Sequence, residues 1–154
     1  MTADRKSVMV RFPPKDPNAG FTERMHCIPL GNGIYQVENS PFHAFNISFG
    51  DKIDVIGESN DLTFKSVVSR GGHSTYRVRL PIGQNHDYFL EHWTELEALG
   101  CSYEGSSLDQ RYLYAIDIPP AVDVAHVYRL LEDGESSGNW EFEEAHYAGN
   151  TTST

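Results

Sequence analysis

The sequence predicts an α+β fold, with a small, curved, barrel-like β-rich first half and a ferredoxin-like second half. Two observations lead to this prediction. Short apolar runs alternate with turns rich in glycine, proline and asparagine over residues 6–82, which is the spacing typical of small barrels. From residue 75 onward the apolar period alternates between that of strands and that of helices, in the order β-α-β-β-α-β.

The chain has 154 residues, which supports one domain or two small ones that share an interface. We expect a β-rich, barrel-like subdomain at residues 1–73 and an α+β subdomain at residues 74–147. The two would share the strand near residues 75–82 and form one rigid unit. Residues 148–154 are small and polar, which predicts a disordered tail.

Apolar runs bounded by turn residues predict five strands in the first half. Gly31-Asn32-Gly33 predicts a tight hairpin between the second and third strands, because such a turn needs positive φ at its central residues. A hydrophobic connection with phenylalanines at 42, 45 and 49 follows the third strand. The five predicted strands are residues 6–12, 22–30, 34–38, 52–56 and 62–69.

Two helices are predicted in the second half. Apolar residues at helical spacing around Phe89 and Trp93 predict a helix that ends at Gly100. A second amphipathic run is bounded by Asp123 as its N-cap and by Gly134 as its end. The predicted strands are residues 75–82, 101–105, 111–118 and 140–147, with the middle pair joined by a turn at Ser106-Ser107.

In the ferredoxin-like order the first and last strands are neighbours. Arg77 and Arg79 share one face of the first strand, and Glu141 and Glu143 share one face of the last. Cross-strand pairs of opposite charge contribute roughly 0.2–1 kcal/mol each. We therefore expect these four side chains to meet on one face of the sheet.

Charge is distributed unevenly along the chain, whose net charge is −10. Residues 1–85 carry 10 Lys and Arg against 8 Asp and Glu, whereas residues 86–154 carry 2 against 14. The acidic half argues against binding to nucleic acid or to an anionic membrane, although this exclusion is weaker for residues 1–85. The split predicts two surfaces with different roles.

The compartment is predicted to be the cytoplasm. The first residues contain no apolar stretch long enough for a signal peptide, and no window approaches a membrane span. Cys27 and Cys101 are the two cysteines, and their spacing implies neither a disulfide framework nor a thiolate zinc site.

Six runs in the chain are similar to those of a known family. The chain resembles a bacterial family described as domain of unknown function 4265, over about residues 6–147. The resemblance implies a small bacterial cytoplasmic protein and implies no enzymatic activity. The runs that carry it are ERMHCIPL at 23–30, YQVENSPF at 35–42, ISFGD at 47–51, RGGHSTYRV at 70–78, AIDIP at 115–119 and GNWEFEEA at 138–145.

One turn of the predicted barrel has the composition of an anion site. Consecutive glycines can expose backbone N–H groups as an anion-binding concavity, here beside two arginines and a histidine. A phosphate, a nucleotide or a carboxylate is the expected ligand. The alternative is an ordinary β-turn with its arginine paired to the acidic half. The candidate residues are Arg70, Gly71, Gly72, His73, Ser74 and Arg77.

The acidic half is the second candidate site. Carboxylates beside exposed aromatic side chains would attract and anchor a basic protein, whereas the alternative is a solvated face that keeps the protein in solution. The candidate partner-binding residues are Tyr112, Tyr114, Glu132, Asp133, Glu135, Trp140, Glu141 and Glu143.

No catalytic, metal or cofactor site is predicted. His26 and Cys27 are adjacent, so on a strand they point to opposite faces and cannot form an activated pair. The seven histidines show no metal-ligand spacing, and the chain lacks phosphate-loop, dinucleotide and nucleophile-elbow motifs.

The sequence therefore favours a non-catalytic binding protein that recognises a basic protein partner through its acidic half. An immunity-type or antitoxin-like inhibitor is a concrete version, because inhibition of a nuclease requires negative charge against a cationic active site. The alternatives are a sensor that binds a phosphorylated metabolite or a nucleotide at the Arg70–Arg77 turn, and an enzyme that uses His73 with a carboxylate.

Overall fold

The structure, a computed structural model, describes residues 6–14, 16, 18, 20–58, 60–108 and 111–150. Five strands close into a barrel in chain order, and four further strands form a separate sheet that carries two helices. The barrel consists of β1 (Val8–Phe12), β2 (Glu23–Gly31), β3 (Ile34–Val37), β4 (Lys52–Glu58) and β5 (Asp61–Ser69). The α+β class and the barrel-like first half are thereby confirmed.

Consecutive barrel strands pair antiparallel, and the barrel closes through a short parallel pairing of β1 with β5. Alternate residues of the strands fill its interior, as the period of two requires. The predicted hairpin is confirmed, because Asn32 and Gly33 have φ values of +57° and +75° between β2 and β3.

The second half follows the predicted order of elements. It consists of β6 (Ser74–Arg79), α1 (His86–Leu99), β7 (Ser102–Leu108), β8 (Arg111–Ile118), α2 (Val124–Ser136) and β9 (Glu141–His146). The sheet order is β7-β8-β6-β9, so the first and last strands of this half are neighbours, as predicted. Strand β6 pairs with β8 and β9 and belongs to this sheet alone, so the expectation of a strand shared with the barrel was wrong.

The predicted ends of the first helix are close to those observed. Asn85 caps its N-terminus by accepting the Tyr88 N–H, and Gly100 ends it with φ of +113°. The second helix begins after the N-cap Asp123, as predicted, but it continues through Gly134 to Ser136. Gly134 serves packing instead of termination, since a Cβ there would lie 2.5 Å from the Trp140 ring.

Two further local predictions were wrong. Strand β7 runs through Ser106 and Ser107, which pair with β8, so these serines do not form the turn. At the C-terminus, residues 148–150 form a 3₁₀ turn instead of a disordered segment, and the Ala148 N–H donates to Ser74 Oγ at 2.9 Å. Residues 151–154 lie outside the described residues. In the described part of the chain, neither helix is long and apolar enough to cross a bilayer.

Candidate functional site

An internal carboxylate occupies the centre of the predicted anion-binding turn. Arg70 donates from Nη1 to Asp51 at 2.9 Å and to the Asn46 carbonyl at 2.7 Å. The backbone N–H groups of Gly71 and Ser48 donate to Asp51 at 3.0 and 2.9 Å. Because Asp51 is completely buried, part of the chain holds the position at which an external anion was expected.

The rest of the turn also bonds within the chain. His73 Nδ1 lies 2.8 Å from Oδ1 of Asp117, and Ser74 Oγ accepts the N–H of Ala148. Gly72 has φ of +90°, so this glycine supplies backbone freedom to the turn. Burial raises the pKa of Asp117, against the opposing effect of His73. The polar side chains of this segment therefore have partners inside the chain, as the alternative to an anion site expects.

The pairing of His73 with a carboxylate is the arrangement that the enzyme hypothesis required. The His73 ring packs against Phe49, with 5.4 Å between ring centroids. Its other nitrogen, Nε2, lies near Gly50, since a Cβ added to this glycine would be 3.5 Å from it. The His73 ring thus lies beside Phe49 and Gly50, with its Nδ1 on Asp117.

Three buried polar side chains, which we call the polar joint, connect the barrel to the second sheet. Ser48 Oγ lies 2.6 Å from Thr75 Oγ1 and 2.7 Å from His146 Nδ1. Burial and the nearby Arg70 lower the pKa of His146, which favours the neutral imidazole. No sequence pattern indicates this joint, because Ser48 is 27 residues from Thr75 and 98 residues from His146.

The loop at residues 41–46 is held on its barrel side by Glu23, a buried carboxylate of β2. The Glu23 oxygens accept the backbone N–H groups of Phe42, His43 and Ala44 at 2.6, 2.9 and 2.8 Å. Three N–H groups converging on one carboxylate form an anion-binding nest whose anion belongs to the chain. The loop therefore has a defined conformation beside the second sheet.

Arg77 holds the same loop from the sheet side. Its Nη1 donates to the carbonyls of Pro41 and Ala44 at 3.2 and 2.7 Å, and its Nε donates to Glu143 at 2.7 Å. The Phe45 ring covers the guanidinium face, with its centroid 4.6 Å from Cζ. Among the described residues, Arg77 Nη2 is the one buried side-chain polar atom without a hydrogen-bond partner. An unpaired buried donor is costly, so this atom marks a place where an acceptor would be stabilised.

Two clefts meet at Arg77. The larger, which we call the aromatic cleft, has a volume of about 830 Å³, and the smaller, the charged cleft, has about 590 Å³. The walls of the aromatic cleft include Phe12, Phe21, Phe42, Phe45, Phe64, Val67, Arg70 and Arg77. Those of the charged cleft include Arg77, Arg79, Arg111, Glu135, Glu141 and Glu143. Of the six predicted anion-site residues, the aromatic cleft brings together two, Arg70 and Arg77.

The aromatic residues of this site were not predicted as ligand-binding residues. Phe21 and Phe45 are 62% and 55% exposed although each is large and apolar, and both belong to the cleft walls. In the sequence, phenylalanines in a connection are equally consistent with core residues. Their exposure depends on how the loop lies across the sheet, which only the fold determines.

Two of the predicted partner-binding aromatics lie in the core. Tyr114 stacks on Phe89 with 3.6 Å between centroids, and Trp140 Nε1 donates to the Leu131 carbonyl at 3.0 Å. Both are buried because strand alternation and the glycine in α2 direct them beneath the helices, so they are not surface anchors. Tyr112 is half-buried.

The open face of the second sheet contains two of the predicted acidic residues. Glu143 is opposite Arg77 and Glu141 is opposite Arg79, which confirms the prediction that the four side chains meet on one face of the sheet. Arg111 also lies 3.5 Å from Glu141. The hydrogen bond and charge of Arg79 lower the pKa of Glu141. Each of these carboxylates thus has a cationic partner.

The other predicted acidic residues lie on α2 and, with the carboxylates of α1, form what we call the helical layer. Glu135 lies at the edge of this layer, where it borders the charged cleft and accepts the Phe142 N–H at 3.2 Å. This layer has a single arginine, Arg129, and none of its carboxylates forms an ion pair in the described part of the chain. A groove of about 270 Å³ between the helices is lined by Glu91, Glu95 and Asp133. The exposed carboxylates of the layer are Asp87, Glu91, Glu95, Glu97, Glu132, Asp133 and Glu135.

Both cysteines are buried free thiols. Burial raises the pKa of Cys27 and of Cys101 to about 12, so neither is an activated nucleophile. Among the described residues, no group of three or more metal-ligating side chains is positioned to hold a metal ion.

Comparison with known proteins gives a family and a fold. The family model named Domain of unknown function (DUF4265) matches residues 23–142. A crystal structure of a hypothetical protein from Neisseria gonorrhoeae is similar, with a TM-score of 0.71 and 16% sequence identity, over 96% of this chain and 99% of that chain. At this identity the likeness shows the fold alone. No curated protein matches the sequence.

Proposed function

Since the chain belongs to the family Domain of unknown function (DUF4265), which is defined without an activity, we propose from geometry that it is a non-catalytic protein that binds a small molecule in the aromatic cleft. The observation that carries the proposal is the buried Arg77, which borders a cleft walled by phenylalanines and whose Nη2 has no acceptor among the described residues. A concave apolar site with a few polar groups is typical of small-molecule binding.

The chemistry of the walls defines the ligand in outline. Five phenylalanines favour an apolar or aromatic body, because burial of apolar surface is favourable and aromatic rings attract each other. The guanidinium favours an oxygen-bearing head group that accepts hydrogen bonds. This proposal moves the predicted anion site from the Arg70–Arg77 turn to the cleft that these two arginines border.

The test uses three probes with the same phenyl body and different head groups: phenylacetate, phenyl phosphate and phenylacetamide. We expect saturable binding of at least one probe by isothermal titration calorimetry, and a rise in melting temperature, because a ligand that binds the folded state stabilises it. Phe21→Ala removes an exposed wall of the cleft and should weaken binding roughly threefold to tenfold.

Ile82→Ala is the matched control, because Ile82 is also a large exposed apolar residue and does not belong to the cleft. It should leave affinity unchanged. Absence of binding by all three probes, or equal losses in the two variants, would contradict the proposal.

A second candidate function is recognition of a basic protein by the helical layer. It is supported by seven exposed carboxylates that have one arginine among them and form no ion pair with any described residue, since unpaired charge of one sign accelerates association with a partner of opposite sign. An immunity-type or antitoxin-like inhibitor of a nuclease is the specific version. The free cysteines agree with a cytoplasmic location for either function.

The second candidate is tested with arginine-rich peptides, by fluorescence anisotropy at low and high salt, and with inhibition assays on basic nucleases. Glu95→Lys combined with Asp133→Lys should abolish salt-sensitive binding. The control, Asp16→Lys with Glu58→Lys, makes the same charge change at exposed positions away from the helices. Equal binding by both variants would contradict this function.

A further inference from the structure

The head group of the ligand can be inferred from the way in which Arg77 is now paired, an inference that rests on the proposed small-molecule function. A guanidinium has five N–H donors. Two N–H groups on Nη1 face the carbonyls of Pro41 and Ala44, and the one on Nε faces Glu143. The two N–H groups on Nη2 have no acceptor among the described residues.

The unpaired atom lies on the edge that carboxylates prefer. Nε and Nη2 form the side-on edge of a guanidinium, which matches the two oxygens of a carboxylate in a bidentate pair. Glu143 uses one oxygen, Oε2, on Nε alone, and leaves Nη2 unpaired. Glu143 therefore uses one of the two hydrogen bonds that this edge of the guanidinium can donate to a carboxylate.

Glu143 is also the partner that is free to leave. Its side chain is 53% exposed, whereas that of Arg77 is 1% exposed. A carboxylate that moves into water recovers its hydration, while the buried guanidinium has no such alternative. Phe45 stacks on the face of the guanidinium, so the Nε/Nη2 edge is not the part that the ring covers.

We propose that Glu143 is an internal placeholder, and that a ligand carboxylate displaces it to pair bidentately with Nε and Nη2 of Arg77 while the apolar body of the ligand enters the aromatic cleft. The exchange gives Arg77 one carboxylate partner in place of another, while the displaced Glu143 carboxylate turns into water, which screens its charge. Arg70, the other arginine of the cleft, is already paired with the buried Asp51.

Charge also decides against a phosphate ester. The aromatic cleft is lined by two arginines and two carboxylates, Arg70 and Arg77 with Asp16 and Glu143. Since Arg70 is already paired with Asp51, the charge that a ligand can pair with is the single charge of Arg77: a carboxylate matches it, whereas a phosphate dianion adds a negative charge without a counterion. The ligand class is therefore a monocarboxylic acid with an aromatic or branched apolar body.

The experiment compares the same three probes on the wild type and on Glu143→Gln. Because this variant removes the competing charge, we expect it to bind phenylacetate about tenfold more tightly, the effect of one charge-assisted hydrogen bond. Glu141→Gln is the matched control: it lies two residues away on the same strand face and pairs with Arg79, outside the aromatic cleft. It should leave the affinity unchanged.

A second readout does not depend on affinity. With ¹⁵N-labelled arginine, phenylacetate should shift the Nε–H resonance of Arg77 in the wild type. Arg77→Lys should lose phenylacetate selectivity, and if that variant does not fold, the exposed Glu143→Gln still decides the question.

The outcomes separate the two proposals. If phenyl phosphate or phenylacetamide binds better than phenylacetate, or if Glu143→Gln fails to tighten phenylacetate binding, the placeholder inference is wrong and the proposed function stands. If none of the probes binds the wild type or Glu143→Gln, the proposed function itself is wrong.

Discussion

Two groups of carboxylates in the second half of the chain differ in their surroundings. On β9, Glu141 and Glu143 each accept a hydrogen bond from an arginine of β6. On the helical layer, seven exposed carboxylates have one arginine among them and form no ion pair in the described part of the chain. The first group has its charge balanced inside the molecule, while the second presents it to solvent.

The difference shows why net charge alone does not describe this protein. The strand pairing of β6 with β9 brings two arginines of residues 1–85 onto two acids of residues 86–154. The helices contact the sheet through their apolar faces, and the exposed carboxylates of the helical layer have a single arginine, Arg129, among them. The carboxylates of β9 therefore contribute ion pairs within the sheet, whereas those of the helical layer create a negative electrostatic potential at the surface.

The largest effect is expected where the paired group is buried. Replacement of Arg77 by Leu leaves the carbonyls of Pro41 and Ala44 without a donor, and should lower the free energy of unfolding by about 2–4 kcal/mol. Urea unfolding with an unchanged m-value measures this. The corresponding change at Arg79 serves as the comparison, and equal losses would mean that burial does not distinguish the two pairs.

The polar joint at the end of the same strand predicts a pH dependence. Because the pKa of His146 lies below its ordinary value of 6.5, the unfolded chain takes up a proton that the folded chain does not. The free energy of unfolding should thus fall as pH decreases from about 6.5, with a limit of about 1.4 kcal/mol per pH unit. His146→Gln should flatten this slope, while His126→Gln on the exposed face of α2 should not. An unchanged slope in His146→Gln would refute the assignment.

A smaller effect is expected at the exposed pair. Arg79→Leu should cost about 0.2–1 kcal/mol, because water and salt screen the pair. The pKa of Glu141 is lowered by Arg79, so this contribution is present at neutral pH and is lost as pH falls below the ordinary value of 4.5. Urea titrations at neutral and acidic pH measure it. If the loss of unfolding free energy in Arg79→Leu persisted at acidic pH, it would come from packing instead of from the ion pair.

The smallest effect is expected in the helical layer. Glu95→Gln combined with Asp133→Asn should raise the free energy of unfolding by a few tenths of a kcal/mol, because like charges repel weakly in water. Added salt should produce a similar rise in melting temperature in the wild type and less in the variant. Destabilisation by the double change would show that these carboxylates have partners after all.

Much of the fold was accessible from the sequence. The hairpin at Asn32-Gly33, the caps Asp123 and Gly100, and the meeting of the β6 arginines with the β9 glutamates follow from local rules of φ, capping and strand parity together with the predicted order of strands. The failures also have local causes. In the sequence, Gly134 predicts a helix end because glycine commonly ends helices. The packing of Trp140 against this glycine, which explains it, is visible only in the structure.

The candidate site was accessible only in part. Arg70 and Arg77 were singled out, and both border the aromatic cleft. The phenylalanines of the walls and the buried Glu23, however, could not be recognised as its parts. Their role depends on the path of the 41–46 loop across the second sheet, which no periodicity records.

The sequence alone determined the strands, the helices, the order of the second sheet and the meeting of its charged faces, because these depend on neighbours along the chain and on alternation. The tertiary structure decided which charged groups are paired within the molecule. Alternation along a strand predicts the face on which a side chain lies, but it does not predict which residue packs against that side chain. Asp51 therefore filled the anticipated anion turn, and the one buried donor without an acceptor among the described residues was left on Arg77.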